Sequence, residues 1–361
     1  MKSRHLILGL LVAAVALYFT FREASFQQIC RSLLEVKYGY LLGSLVLFFA
    51  AFSTRALRWH YFCKAVKTVP TRRLFSPMMI GFMGNLLPLR AGEFIRAYLL
   101  GRRESISFSA SLATIVVERM FDLLSVLVLF GCLLVWNPIV FVPHGGENDP
   151  GQVARYVRTF GVVSLVGVLG LAAFLYLLIH QEERGIGLVR RATRALPLRL
   201  QTRIEDILRS FTAGLGILKD PRGILVTVLL SALLWILLCL SNVPFYWAYQ
   251  IESDLPLDSV VTLMVVTCVL ISVMPTPGYL GPFQFAMTFV LADLYGVDRA
   301  VAVSFSMVNW FVSMGVIFLV GVFFLFRDNL SFFEVFRKAR EISRTSTEGA
   351  KAGGDRFDDS A

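Results

Sequence analysis

The stretch NLLPLRAGEFIRAYLL, residues 85–100, sets Arg90, Glu93 and Arg96 around Gly92 inside an otherwise apolar region. Guanidinium groups are planar donor forks that match phosphate or carboxylate oxygens. A helix starting near Gly92 adds unpaired backbone N–H groups, which favour an anion. Gly92 itself lets a headgroup approach the backbone closely. Glu93 and Arg96 lie one helical turn apart, so they are expected to pair when no substrate is bound. The alternative for this set is interfacial anchoring by snorkelling side chains. That fits Arg102 and Arg103 well and Glu93 poorly.

Further along, Glu118, Arg119 and Asp122 interrupt what otherwise reads as one apolar helix, 106–136. A charge at mid-bilayer costs at least ~2.5 kcal/mol on insertion scales, so these groups should face protein or water. Glu118 and Asp122 share a helix face, and Arg119 reaches Asp122. Two readings stay open. In one, the trio and the Arg90–Arg96 set line a polar cavity that contacts a headgroup or relays protons. In the other, the trio is a structural ion pair locking this helix to the preceding segment.

No metal or cofactor is expected. The five cysteines and four histidines are scattered without ligand spacing, and small apolar packing is the simpler role for the cysteines. No Walker-type Gly-Lys-Ser/Thr loop is present.

The elements that must position these residues follow from composition. Of 361 residues 56% are hydrophobic and 17% charged, with mean hydropathy +0.68. That is an all-α polytopic membrane protein. About six spanning helices are predicted, over Leu6–Phe21, Gly39–Ser53, Leu123–Trp136, Phe160–Ile179, Ile224–Tyr249 and Ala300–Phe326. The first follows MKSRH and reads as a retained helix; its apolar run is long for a signal peptide and lacks a clean cleavage site.

The net charge of +10 reports orientation rather than a nucleic-acid partner, and none is expected. With the N-terminus inside, Arg22, Arg31, Lys37, Arg155, Arg158 and Arg299 are external and Arg119 is intramembrane. The remaining Lys and Arg fall at the N-terminus, in the cytoplasmic segments 54–73 and 181–222, around the first break and in the tail, so both termini are expected in the cytoplasm. Segment 199–217 has Leu200, Ile204, Ile207, Leu208 and Phe211 at helical spacing and reads as an interfacial helix or a solvated connector. The cytoplasmic tail, 331–361, is expected to be largely disordered from about 341.

Two short apolar segments do not fit simple spans. Ser76–Pro88 has basic residues on both flanks and reads as a re-entrant hairpin from the cytoplasm. Ser259–Met274 is broken by PTPGYLGP and followed by a short apolar run, a second hairpin from the opposite side. Pro88-Leu-Arg-Ala-Gly92-Glu-Phe94 aligns with Pro277-Gly-Tyr-Leu-Gly281-Pro-Phe283, and with a two-residue shift Glu118-Arg119 falls opposite Asn309-Trp310. Two oppositely oriented re-entrant hairpins, each with a long helix (about 74–136 and 258–327), thus form an inverted repeat within one transmembrane domain, 1–330. Such repeats hold substrate near the midplane, between interrupted helices. In the second hairpin Pro277, Gly278 and Gly281 break the helix and expose backbone groups. The many phenylalanines are expected to pack against lipid.

PLRAGEFIRAYLL with VVERMFDLL, and PTPGYLGPFQFA near the C-terminus, resemble the bacterial family of lysylphosphatidylglycerol synthase transmembrane regions and its stand-alone flippase-like members. The resemblance implies a cytoplasmic (inner) membrane location and movement of a phospholipid or related amphiphile between leaflets. It matches Arg90, Gly92, Glu93, Arg96, Glu118, Arg119 and Asp122 to the charged motif, and Pro277, Gly278 and Gly281 to the C-terminal turn. The short tail leaves no soluble aminoacyl-transfer domain, so lysyl transfer is not expected. A lipid flippase or transporter is the leading expectation. The alternatives are a membrane-embedded transferase on a lipid-linked donor, with Glu93, Glu118 or Asp122 as general base, and an accessory subunit of a lipid-modifying enzyme. A membrane phospholipid or lipid-linked substrate is the expected partner, with a homo-oligomer or partner enzyme as further candidates.

Overall fold

The computed structural model describes residues 2–22, 24–86, 91–136, 221–253, 255–274 and 276–331, with isolated residues in 159–201 and at 334 and 337. Among them the chain is all-helical. Four helices are long and apolar enough to cross a membrane: Tyr38–Cys63, Phe108–Trp136, Arg222–Tyr249 and Arg299–Arg327. A fifth crossing would combine the bent pair Gly9–Phe21 and Phe26–Glu35, which turns through 81°. The expected span Phe160–Ile179, the connector 181–222 and the tail beyond 331 lie almost wholly outside the described residues.

We number the helices α1 (Lys2–Phe21), α2 (Phe26–Glu35), α3 (Leu41–Cys63), α4 (Thr71–Asn85), α5 (Gly92–Glu104), α6 (Phe108–Trp136), α7 (Pro221–Leu240), α8 (Val243–Tyr249), α9 (Asp258–Val273), α10 (Pro282–Thr288) and α11 (Arg299–Arg327). Their starts have local causes. The Ser107 hydroxyl accepts from the Ala110 N–H at 3.2 Å and caps α6. Asp298 Oδ1 accepts from Ala300 and Val301 and caps α11. At α10 Pro282 takes the first turn, where its missing N–H costs nothing. There Gln284 Oε1 accepts the Gly281 N–H at 2.8 Å. A π-helical turn, Phe289–Leu294, continues α10.

α4 and α5 fold back on each other. Asn85 meets Gly92, Gly84 meets Ile95 and Gly81 meets Arg96, a descending against an ascending register. α9 and α10 likewise pack together across a 3₁₀ turn at Pro277–Tyr279. α3 and α7 run antiparallel, with Ser44 donating to the Ser241 carbonyl and Arg58 to Ser231. The contacts between helices are reciprocal. α4 packs on α11 and α9 on α6, while α5 packs on α6 and α10 on α11. Two large hydrophobic cores and a small one around Ile29, Ala300 and Val303 result among the described residues. One gathers Trp59, Phe62, Leu74, Met78 and Ile95 with the C-terminal part of α11. The other gathers Tyr246, Leu263, Phe283, Leu291 and Phe305. Outside them, Val128, Ile236, Phe311, Phe318 and Phe326 face outward, as lipid-facing side chains do.

One assignment from charge counting is corrected here. Arg55 and Arg58 do not lie in a cytoplasmic loop 54–73, because α3 continues to Cys63 and buries both. They are tolerated there because acidic side chains on α6 face them.

Candidate functional site

The polar centre is built where α3, α5 and α6 converge. Glu118 of α6 is fully buried and takes both terminal nitrogens of Arg96, Nη2 to Oε2 at 2.6 Å and Nη1 to Oε1 at 3.3 Å. Arg55 Nη1 and Arg119 Nη2 also donate to Oε1, at 3.2 and 2.8 Å. One turn on, Asp122 takes Arg58 Nη2 at 2.5 Å and Arg55 Nη1 at 2.9 Å, with Arg119 at 3.3 Å. Arg58 donates its other terminal nitrogen to Ser231 on α7 at 3.0 Å, which ties in a fourth helix. The Arg96 guanidinium also lies 4.2 Å from the Trp59 ring centre and 5.3 Å from that of Phe82, contacts worth more when desolvated.

Every carboxylate oxygen of the cluster has a donor, but several donors have no acceptor among the described residues. Four guanidiniums face two carboxylates, a formal excess of two positive charges. The buried Nε–H groups of Arg58, Arg96 and Arg119 have no hydrogen-bond partner among the described residues. Burying a donor unpaired costs roughly 1–3 kcal/mol. Arg58 and Arg96 are sealed in, whereas the Arg119 side chain is 40% exposed. Chemically, the centre is a cation-rich buried cluster with one partly exposed side chain, Arg119.

The predicted residues are brought together only in part. Arg96, Glu118, Arg119 and Asp122 form this centre, and Arg90 lies outside the described residues. Glu93 does not pair with Arg96: it accepts from Asn85 Nδ2 at 3.3 Å, while Arg96 turns to Glu118. Gly92 has another reason than headgroup access. Its amide donates to Asn85 Oδ1 at 2.8 Å, and a Cβ there would collide with the Gly81 carbonyl. Gly81 in turn leaves the room that the Arg96 side chain fills. Both glycines serve the close approach of α4 to α5.

Pro277, Gly278 and Gly281 sit at the other break. Gly278 and Gly281 have φ of +61° and +89°, conformations that favour glycine. The Gly278 carbonyl accepts from Trp310 Nε1 at 2.8 Å. A Cβ on Gly281 would press on the backbone of Ala13 in α1. Gly278 also lies beside the Leu86 carbonyl, 3.6 Å from where its Cβ would stand, so the two breaks approach each other. Sequence reasoning missed Arg55 and Arg58. The available signal was their spacing of three on one face of the aromatic run FSTRALRWHYF. Among the described residues no group of His, Cys, Asp and Glu could hold a metal ion.

Comparison with known proteins gives relatives from archaea. A UPF0104 membrane protein of Methanothermobacter thermautotrophicus is 26% identical over 302 residues, 78% of this chain and 83% of the relative. A second protein of that description from the same organism is 25% identical over 311 residues, 82% of this chain and 86% of the relative. Glycosyltransferase AglD of Haloferax volcanii is 28% identical over 291 residues, 74% of this chain but 45% of AglD. No solved structure matches the chain. The family described as the lysylphosphatidylglycerol synthase TM region matches residues 6–321, a stretch that takes in both hairpins and every residue of the buried charge cluster. The chain is a membrane protein of the lysylphosphatidylglycerol synthase transmembrane-region family.

Proposed function

We propose that the protein is a flippase-like transporter that moves a phosphate-bearing lipid or related amphiphile between bilayer leaflets. The surplus of buried guanidinium donors over carboxylate acceptors carries this reading. A phosphate group brings acceptor oxygens and negative charge, the two things the cluster lacks. Arg119, half open, is the first contact, and Glu93 flanks the approach at the hairpin, with Arg90 three residues before it in sequence. Phosphate oxygens would share Arg55, Arg96 and Arg119 with Glu118 and Asp122.

The reciprocal packing of α4 on α11 and α9 on α6 supports an inverted repeat with two re-entrant hairpins. The antiparallel α3–α7 pair and the meeting of the breaks at Leu86 and Gly278 support it further. On this reading the chain crosses six times, with both termini in the cytoplasm of a cell bounded by a cytoplasmic membrane. Basic residues Lys64, Lys67, Arg72 and Arg73 still mark that side, although Arg55 and Arg58 no longer count toward it. Substrate enters from the inner leaflet, and the two halves rock to alternate access, alone or as a homo-oligomer.

A second reading is a membrane-embedded transferase on a lipid-linked substrate. It is favoured by the name of AglD, a glycosyltransferase of which this chain covers 45%. Glu93 is then the general base, since Glu118 and Asp122 are each held by several arginines whereas Glu93 accepts only from Asn85 among the described residues. A third role, as accessory subunit of a lipid-modifying enzyme, uses the same anion site without turnover.

The test is translocation of a labelled anionic phospholipid in proteoliposomes holding purified protein, wild type against Arg119→Gln and Arg90→Ala. We expect transport in wild type and at least a tenfold loss in Arg119→Gln, the loss of about one charge-assisted contact. Equal rates in protein-containing and empty vesicles would remove the transport reading, and product formed from a lipid-linked sugar in detergent would favour the transferase.

A further inference from the structure

A second cationic site lies at the ends of the helices, away from the charge cluster. Arg72 and Arg73 stand in the first turn of α4, Arg103 and Glu104 in the last turn of α5, and Arg327 at the end of α11. Together they line one open concavity of about 440 Å³. Arg103 is seven residues from Arg96 along α5, about 10 Å at the helical rise, so this is not the centre described above.

The walls are held in place by acids that point inward. Glu104 is buried and takes Lys67 and Arg73 at 3.6 and 3.5 Å. Asp328, with 7% of its side chain exposed, takes Arg103 at 2.8 Å and Arg327 at 3.1 Å and accepts from Ser76. Arg72 has no ion-pair partner among the described residues. The concavity therefore presents four guanidiniums from three helix ends around one buried carboxylate, with their outer donor edges free to bind.

We propose that this concavity binds a phosphate-type anion, distinct from the transported group, which bridges the α4–α5 hairpin to the end of α11. Its position beyond the ends of the apolar helices fits either the phosphate of an anionic lipid headgroup or free phosphate from the aqueous side. Planar guanidiniums from several directions favour a tetrahedral oxyanion over a single carboxylate. Because Arg103 and Arg327 also hold Asp328, an occupant bears on the joint between the hairpin and α11.

The site is tested with the full-length purified protein and two probes. Inorganic phosphate is titrated calorimetrically in neutral detergent. Phosphatidic acid is compared with phosphatidylcholine by counting retained lipid in nanodiscs. Binding of the first probe identifies a soluble anion, and binding of the second alone identifies a lipid headgroup. Either probe is expected to bind about tenfold more weakly to the Arg72→Gln/Arg73→Gln double variant. Arg102→Gln, on the same helix end but outside this concavity, should bind as wild type does. If the double variant fails to fold, Arg72→Gln alone serves, since that side chain is exposed and unpaired; about a threefold loss is then expected. The proposal is overturned if neither probe binds, if the lining variants bind normally, or if Arg102→Gln loses as much as they do, which would mean diffuse surface charge. None of these outcomes depends on lipid translocation.

Discussion

The two hairpins pack on the same partners by reciprocal contacts, yet they are held by opposite chemistry. In the first half Arg96 bolts α5 to α6 through a bidentate pair with buried Glu118. In the second, Trp310 of α11 donates a neutral bond to the Gly278 carbonyl at the break. Beside it Asn309 donates to Asn242 at 3.0 Å and accepts from Ser313. The buried charge thus lies beside the first hairpin alone among the described residues. A buried pair is poor value as mere glue, because desolvation offsets most of its attraction. Among the described residues the second hairpin has only a partly exposed ion pair, Arg299 with Asp293 at 3.0 Å, and the buried ions of the first therefore call for another use.

The largest effect that distinguishes the halves is removal of an acid. Glu118→Leu strands buried Arg96 and leaves Arg55, Arg58 and Arg119 sharing Asp122 alone, and a loss of ~3–5 kcal/mol or failure to purify as a single species is expected. Asn309→Leu on α11, which removes neutral bonds to Asn242 and Ser313, should cost only ~1–2 kcal/mol. Equal shifts in thermal unfolding midpoint in detergent would break the comparison. Next, Gly81→Ala drives a methyl into the Arg96 side chain and should cost ~1–3 kcal/mol as overpacking. Gly315→Ala on α11 meets nothing within 4 Å and should shift the same midpoint by no more than ~0.5 kcal/mol. Smaller still, Arg96→Lys keeps the charge but loses the fork and much of the stacking, about 1–2 kcal/mol, against roughly 1 for Trp310→Phe. If Lys were fully neutral here, the bidentate geometry would be incidental.

The last prediction concerns pH at the joint between the halves. Burial alone would raise the Asp328 carboxyl, but the Ser76 hydrogen bond and the Arg103 and Arg327 guanidiniums hold it below its ordinary value of 3.8. A depressed carboxylate stabilises above its unfolded pKa and loses that contribution as pH falls through the folded one. The stability difference between wild type and Asp328→Asn should be flat above about pH 5 and shrink below 3.8. A difference that grows on acidification would contradict the assignment.

Helix class, membrane character and both breaks were legible from apolar run length and from Pro and Gly placement, which are local properties. So was the Glu118, Arg119 and Asp122 face, set by spacing of three and four. The partners were not. Arg55 and Arg58 carry the same side chain as a cytoplasmic anchor, and only their acids, some 60 residues on, make burial tolerable. Counting charges along the chain has no access to that pairing. Gly92 failed for a related reason: what a missing Cβ makes room for depends on the facing helix, here the Gly81 carbonyl. Glu93 went to Asn85 because the hairpin register brought an amide closer than the arginine one turn away.

The interlock of Gly81 with Arg96 has a consequence for how sequences of this family drift. With no space between the backbone of α4 and the stem of that arginine, neither position is able to change alone without prying the hairpin open. Substitutions at 81 and 96 should therefore appear as a coupled exchange, bulk gained on one helix being matched by bulk lost on the other. Gly315, with empty surroundings, should wander independently of both.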